Sequence, residues 1–238
     1  MLEQVTLLAS RRAYEFRPDD LRLSTLSVKP VQEQIQRLFQ FQTAAMGSPM
    51  PTFGEVPTTY PPGFVFNMGM WISEDKQIIP IRLLHFEQRR IVIDVAGPSS
   101  AITAIYEHLR RFLAELRAPD GSPIVGEPER VLDHTVISAQ FPFSMDAIFA
   151  VPLHKLFART LNTNASSEEL ALISTIVIQK HPTRQEIARL ANPEDSHAIT
   201  FGPRIGTRPE EHIYLSSAPL DSEAHLLYLN ELETMLRS

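Results

Sequence analysis

Between residues 91 and 116 the chain changes periodicity once and sharply. Ile91-Val92-Ile93-Asp94-Val95 is a β-branched run suited to a strand. After Gly97-Pro98-Ser99-Ser100, which supplies helix-starting chemistry, Ile102, Ile105, Tyr106, Leu109, Phe112, Leu113 and Leu116 recur three and four residues apart. A helix with one apolar stripe, entered directly from a strand, has to bury that stripe against a sheet. The expected class is α+β.

Upstream, Phe64 to Ile72 alternates, with Phe64, Phe66, Met68, Met70 and Ile72 assigned to one face. Ser73-Glu74-Asp75-Lys76 makes a polar turn, and Ile78 to Phe86 resumes as the antiparallel partner. Trp71, the one tryptophan, is expected in the core. Downstream, His134 to Phe143 alternates, with Thr135, Ile137, Ala139, Phe141 and Phe143 on one face. Ser144 to Leu161 is helix-like apart from Pro152, Ser174 to Lys180 is a short strand, and Thr183 to Ala191 is a short helix. Ala198 to Ile205 and His212 to Ser217 read as two strands. Asp221 is placed to cap a closing helix with a stripe of Leu226, Leu229, Leu232, Met235 and Leu236.

Two breaker zones punctuate this pattern. Gly47 to Gly63 holds five prolines and three glycines in 17 residues, a long loop inside the first half. Its Phe53 and Tyr60 are candidates for contact with a partner. Ala118 to Pro128 holds three prolines and two glycines in eleven residues and reads as a connection. The expected organisation is a first α+β half at 1–118, a Pro/Gly-rich connection at 119–130 and a second α+β half at 131–238, the two halves separate or continuous. Each half carries an antiparallel sheet packed by a long amphipathic helix. At a separation of about 120 residues Leu109 matches Leu229, Phe112 matches Leu232, Leu116 matches Leu236 and Arg117 matches Arg237, which suggests a tandem pseudo-repeat. In order of elements the chain resembles tandem α+β proteins of the TATA-binding-protein-like kind. That resemblance is one of topology, carries no sequence motif and transfers no residue role.

Function is less legible. Of 238 residues 22 are basic and 28 acidic, and the formal net charge is −6. The acidity lies after residue 118, so a broad phosphate-binding surface is disfavoured. The absence of cysteine removes disulfides, thiolate nucleophiles and cysteine metal sites. No apolar run approaches the roughly 18 residues that cross a bilayer, and Met1 to Arg12 carries no cleavage-like signal, so a soluble, unprocessed, cytoplasmic protein without membrane contact is expected. Nine glycines include no GxGxxG or GxxxxGK[ST] cradle and no GxSxG elbow. Eight histidines show no HxH or HExxH spacing, so no catalytic residue, metal or cofactor is assigned.

The candidate ligand-binding groups are arginines in turns. Arg204 and Arg208 flank Gly206 in an otherwise acidic half, where guanidinium forks and exposed amides suit a carboxylate or phosphate. Arg89 and Arg90 form a second basic turn. Three functions are expected, in this order: a non-enzymatic binding or assembly module contacting another protein or itself; recognition of nucleic acid or a small anionic ligand; and an acid/base enzyme with a cleft between the halves.

Overall fold

Thirteen residues of β1 (Glu3–Glu15) form the strand around which the rest is arranged. A computed structural model describes residues 2–46, 63–73, 75–144, 175–179 and 198–237. After β1 come the short α1 (Leu23–Leu26), α2 (Lys29–Leu38), β2 (Thr43–Met46), β3 (Phe64–Ile72), β4 (Ile78–Glu87), β5 (Arg90–Val95) and α3 (Ser99–Ala114). The second half supplies β6 (Arg130–Gln140), β7 (Ile176–Gln179), β8 (Ala198–Pro203), β9 (Ile213–Ala218) and α4 (Ser222–Arg237). The helices expected at 144–161 and 183–191 lie outside the described residues, apart from Ser144.

Among the described residues nine strands form one antiparallel sheet in the order β2-β3-β4-β5-β1-β6-β9-β8-β7. This corrects the expectation of a sheet for each half. The joint is β1 against β6, running from Thr6 opposite Ser138 to Glu15 opposite Arg130. It was unforeseen because β1 carries Arg11 and Arg12 side by side and shows no clean alternation. In the strand they point to opposite faces, and each finds a carboxylate far along the chain, Asp94 for Arg11 and Asp133 for Arg12.

Among the described residues the helices lie on one side of the sheet. The α3 stripe buries Ile102, Ile105, Tyr106, Leu109 and Leu113 against Tyr14, Phe16, Phe64, Phe66, Phe86, Ile91 and Ile93, and α2 adds Val31 and Ile35. A smaller core gathers Ile137, Ala139, Phe141, Phe201, Tyr214 and Leu229 beneath α4. The 118–128 connection is tied down: Ile124 is fully buried in the first core, Leu21 bridges Val125, and the Gly126 amide donates to the Asp20 carbonyl at 2.7 Å.

Two side-chain assignments change. In β3, Phe64 and Phe66 point into the core, but Met68, Met70 and Ile72 are exposed while Trp71 packs inward. Met68 has φ +55°, which turns the strand by one residue, and β4 answers with an irregularity between Ile81 and Leu83. Pairing stays in step while the faces exchange. In α4 the buried face runs through His225 and Leu229 with Tyr228 and Leu232, leaving Leu226 and Met235 exposed. His225, which is no member of the expected apolar stripe, is the most buried side chain of its turn.

Candidate functional site

On the face away from the helices, polar side chains form two rows across the strands. In the first, the Arg82 Nε donates to Asp94 Oδ1 at 2.7 Å, and Arg11 donates from Nε and Nη2 to Asp94 Oδ2 at 3.1 and 3.0 Å. Arg11 stands opposite His134, whose Nε2 lies 2.8 Å from Ser217 Oγ. The row therefore passes from β4 through β5, β1 and β6 to β9. Asp94 is buried between its two guanidiniums, while Arg82 is 38% exposed. Charge-assisted pairing of this kind fixes the arginines rigidly.

The second row lies nearer the β4–β5 turn. Glu87 stands opposite Arg90, Arg90 is hydrogen-bonded to Glu15, and Glu15 Oε2 lies 3.4 Å from Arg130 Nη1. Between the rows His85 Nδ1 is 3.1 Å from Glu87 Oε1, both side chains buried. Arg11, Arg82, Arg90 and Arg130 thus share this face with Asp94, Glu15 and Glu87. Arg82 and Arg130 carry the most exposed ends.

Apolar side chains flank the rows on the same face. Trp71 and Ile79 pack into the helix-side core, so Met70, Ile72 and Ile78 point away from it and are exposed. At the other end Ile176 and Tyr214 face the second core, and Val177 and Leu215 are exposed on the reverse.

A serine, a histidine and a threonine meet on the helix side. His225 Nε2 lies 2.8 Å from Ser216 Oγ and Nδ1 lies 2.7 Å from Thr135 Oγ1. The Thr135 hydroxyl donates to the Leu220 carbonyl at 2.9 Å, so it can only accept from His225. Nδ1 therefore carries the proton and Nε2 accepts from the Ser216 hydroxyl. Burial first, and then the nearby His134, lowers the His225 pKa to about 4. The order of groups is that of an activated nucleophile, but Ser216 and His225 are 1% and 0% exposed. It joins α4 to the sheet.

Near β1 and α3, Tyr14 and Tyr106 stack with ring centroids 3.6 Å apart. Burial pushes Tyr14 up to about 12 against the opposing Arg12 charge, and it raises Tyr106 also. Burial disfavours the Arg12 charge too, but Asp133 outweighs it and holds the guanidinium above its usual value. An open groove lined by Glu33, Gln36, Arg37, Gln40 and Phe41 shares no residue with any of these groups.

The arginines named from the sequence are placed as follows. Arg90 belongs to the second row; Arg89 turns the other way, donating from Nε to the Phe16 carbonyl at 3.0 Å and lying 4.0 Å from Glu129. Arg204 reaches Ser138 Oγ at 3.3 Å. Arg208 is exposed, and its amide donates to Glu211 Oε2 at 3.3 Å, so a carboxylate of the chain itself already occupies that turn. Phe53 and Tyr60 lie outside the described residues. Arg11, Arg82, Asp94, Glu15 and His225 were missed; the two adjacent charges inside the apolar start of the chain were the available signal. Among the described residues no three His, Asp or Glu side chains could hold a metal ion, and no helix is long and apolar enough to cross a membrane.

No family model matches this chain, and no curated protein or solved structure matches it.

Proposed function

We propose that this chain is a non-enzymatic binding module that meets a partner protein through the face of its sheet opposite α2, α3 and α4. The observation that carries the reading is the row Arg82, Asp94, Arg11, His134, Ser217, which crosses five strands with its arginines held in place by a buried carboxylate. Rigid arginines flanked by exposed Met70, Ile72, Ile78, Val177 and Leu215 have the composition of an interface centre. Cross-linking followed by mass spectrometry tests it. Partner cross-links made by the wild type should be lost from Arg82→Glu/Leu215→Arg; equal cross-linking by both sinks the reading. Light scattering on eluted fractions separates a second copy of the chain from a foreign partner.

Recognition of an anion is the second reading. It is favoured by the four arginines that share the face with three carboxylates, and by the nearby Arg204. Titration with single strand, duplex and mononucleotide at low and high salt tests it. Binding that weakens steeply with salt supports it, and no binding at low ionic strength disposes of it. An acid/base enzyme draws the least support, since Ser216 and His225 are closed to a substrate.

We also infer that the two halves descend from one unit, in the tandem order of TATA-binding-protein-like folds. The strand order reads outward from the centre as β1-β5-β4-β3 on one side and β6-β9-β8-β7 on the other. Each half closes with a 16-residue helix. Ser99 and Ser222 begin those helices 123 residues apart, and Val95 and Ala218 are separated equally. The 120-residue match is off by about one helical turn, a shift to which a 3.6-residue period is nearly blind. Recovery of relatives aligning Ser99 with Ser222 tests the idea; relatives with only one half aligned to both would support it most directly.

A further inference from the structure

The helix-side contact of His225 has a consequence independent of the binding face. We propose that His225 is a proton-operated pin: taking up one proton detaches α4 and uncovers the second core, while the first half stays closed. Both ring nitrogens are occupied by hydroxyls, Ser216 on β9 and Thr135 on β6, and the direction of these bonds is fixed by the Leu220 carbonyl. A proton arriving at Nε2 displaces the Ser216 hydrogen and creates a cation with 0% exposure.

Among the described residues, the charged groups near the ring are engaged elsewhere, set apart from it or of the wrong sign. On β6 the neighbour is His134, which repels a second positive charge. On α4, Asp221 Oδ1 is engaged by the Glu223 and Ala224 amides, Glu223 is exposed, and Glu233 lies two turns further along. On α3 the neighbouring contact is the neutral Ser99, bonded to Ser222. In the first half Ile102 follows Ser99 by three residues, as His225 follows Ser222, and it is fully buried. One half has a titrating pin where the other has a hydrocarbon. His108 on α3 also titrates low, through burial and then Arg111, but it is only part-buried.

The sign follows from which state takes the proton first. The detached histidine binds it near the ordinary value of about 6.5 and the attached one near 4, so attachment is at full strength above pH 6.5 and weakens as pH falls toward 4. Between pH 6.5 and 4.5 the opening equilibrium of α4 rises roughly fortyfold.

Hydrogen exchange of the full chain, corrected for intrinsic rates, reads this directly at residues 225–237. Emission of Trp71, the one tryptophan and part of the first core, reports the other half. The expected result is faster exchange in α4 at pH 4.5 with Trp71 unmoved, and loss of the pH response in His225→Ile. The proposal is overturned by equal α4 exchange at both pH values, by Trp71 moving in step with α4, or by an unchanged response in the variant. Should His225→Ile fail to fold, the wild-type ring titrated by nitrogen-resolved magnetic resonance decides: a midpoint near 4 supports the pin, and one near 6.5 removes it.

Discussion

Ser99 and Ser222 exchange hydrogen bonds: the Ser99 amide donates to Ser222 Oγ at 3.1 Å, and the Ser222 amide donates to Ser99 Oγ at 3.0 Å. Each helix leaves amides unsatisfied at its start, and the hydroxyl of the other helix fills one. Pro98 precedes α3 and provides no side-chain cap, so the contact from α4 takes that role. Ser99→Ala and Ser222→Ala should each cost about 1 kcal/mol in urea unfolding. The double variant should depart from additivity by about 0.5 kcal/mol or more. Strict additivity would show that the two bonds form independently of one another.

Asp94 holds Arg11 and Arg82 together on the sheet face opposite α3. Asp94→Asn leaves two guanidiniums against a neutral amide in a buried site and should destabilise by about 3 kcal/mol. Arg82→Ala, at the exposed end, should cost less than half as much. Denaturant titration of both variants gives the ranking, and the reverse order would mean that Arg82 is the anchor.

Two glycines separate packing from backbone freedom. A Cβ at Gly69 would lie 2.4 Å from the Phe41 ring and 2.8 Å from the Phe39 carbonyl oxygen, whereas at Gly97 the nearest atom is an Ile79 methyl at 3.5 Å. Gly69→Ala should therefore lose about 2 kcal/mol, and Gly97→Ala should change stability by less than about 1 kcal/mol. Thermal melts distinguish them.

The Tyr106 hydroxyl is buried with no hydrogen-bond partner among the described residues. Removing it discards an unsatisfied polar group while keeping the stack on Tyr14. Tyr106→Phe should gain about 1 kcal/mol, an outcome opposite to that of most core substitutions. A loss of stability would reveal a partner for the hydroxyl.

Thr135 accepts from His225 and donates to Leu220, so Thr135→Val orphans a buried N–H and should cost about 2 kcal/mol, while Thr135→Ser keeps both bonds and should cost less than about 1. In the wild type the lowered His225 pKa, about 4 against about 6.5 unfolded, contributes about 3 kcal/mol above pH 6.5 that is lost as pH falls to 4. Unfolding followed by far-ultraviolet dichroism across that range, with His225→Ile alongside, measures the share belonging to this ring.

Elements with one apolar face are legible in the sequence. Ile91 to Val95, the α3 stripe, the β3–β4 hairpin, the inward face Thr135, Ile137, Ala139, Phe141 and the Asp221 cap all rest on periodicity or local hydrogen bonding, which are properties of neighbouring residues. Those neighbours are in the sequence itself. What escaped was set by distant partners. Met68 reversed the faces of β3 through a backbone turn matched in β4, and no alternation announces such an exchange.

The same division holds for the candidate site. Composition alone ruled out cysteine chemistry, and the spacing of glycines and histidines left no known cradle or metal motif. It could nominate Arg90 and Arg204 only as residues of basic turns. That Arg11 meets Asp94 across 83 residues, and that His225 meets Thr135 across 90, was decided when β1 paired with β5 and β6 and α4 closed over the second core. Polarity in a linear chain marks a residue as costly to bury; only the assembled sheet supplies the opposite charge or the hydroxyl that removes the cost.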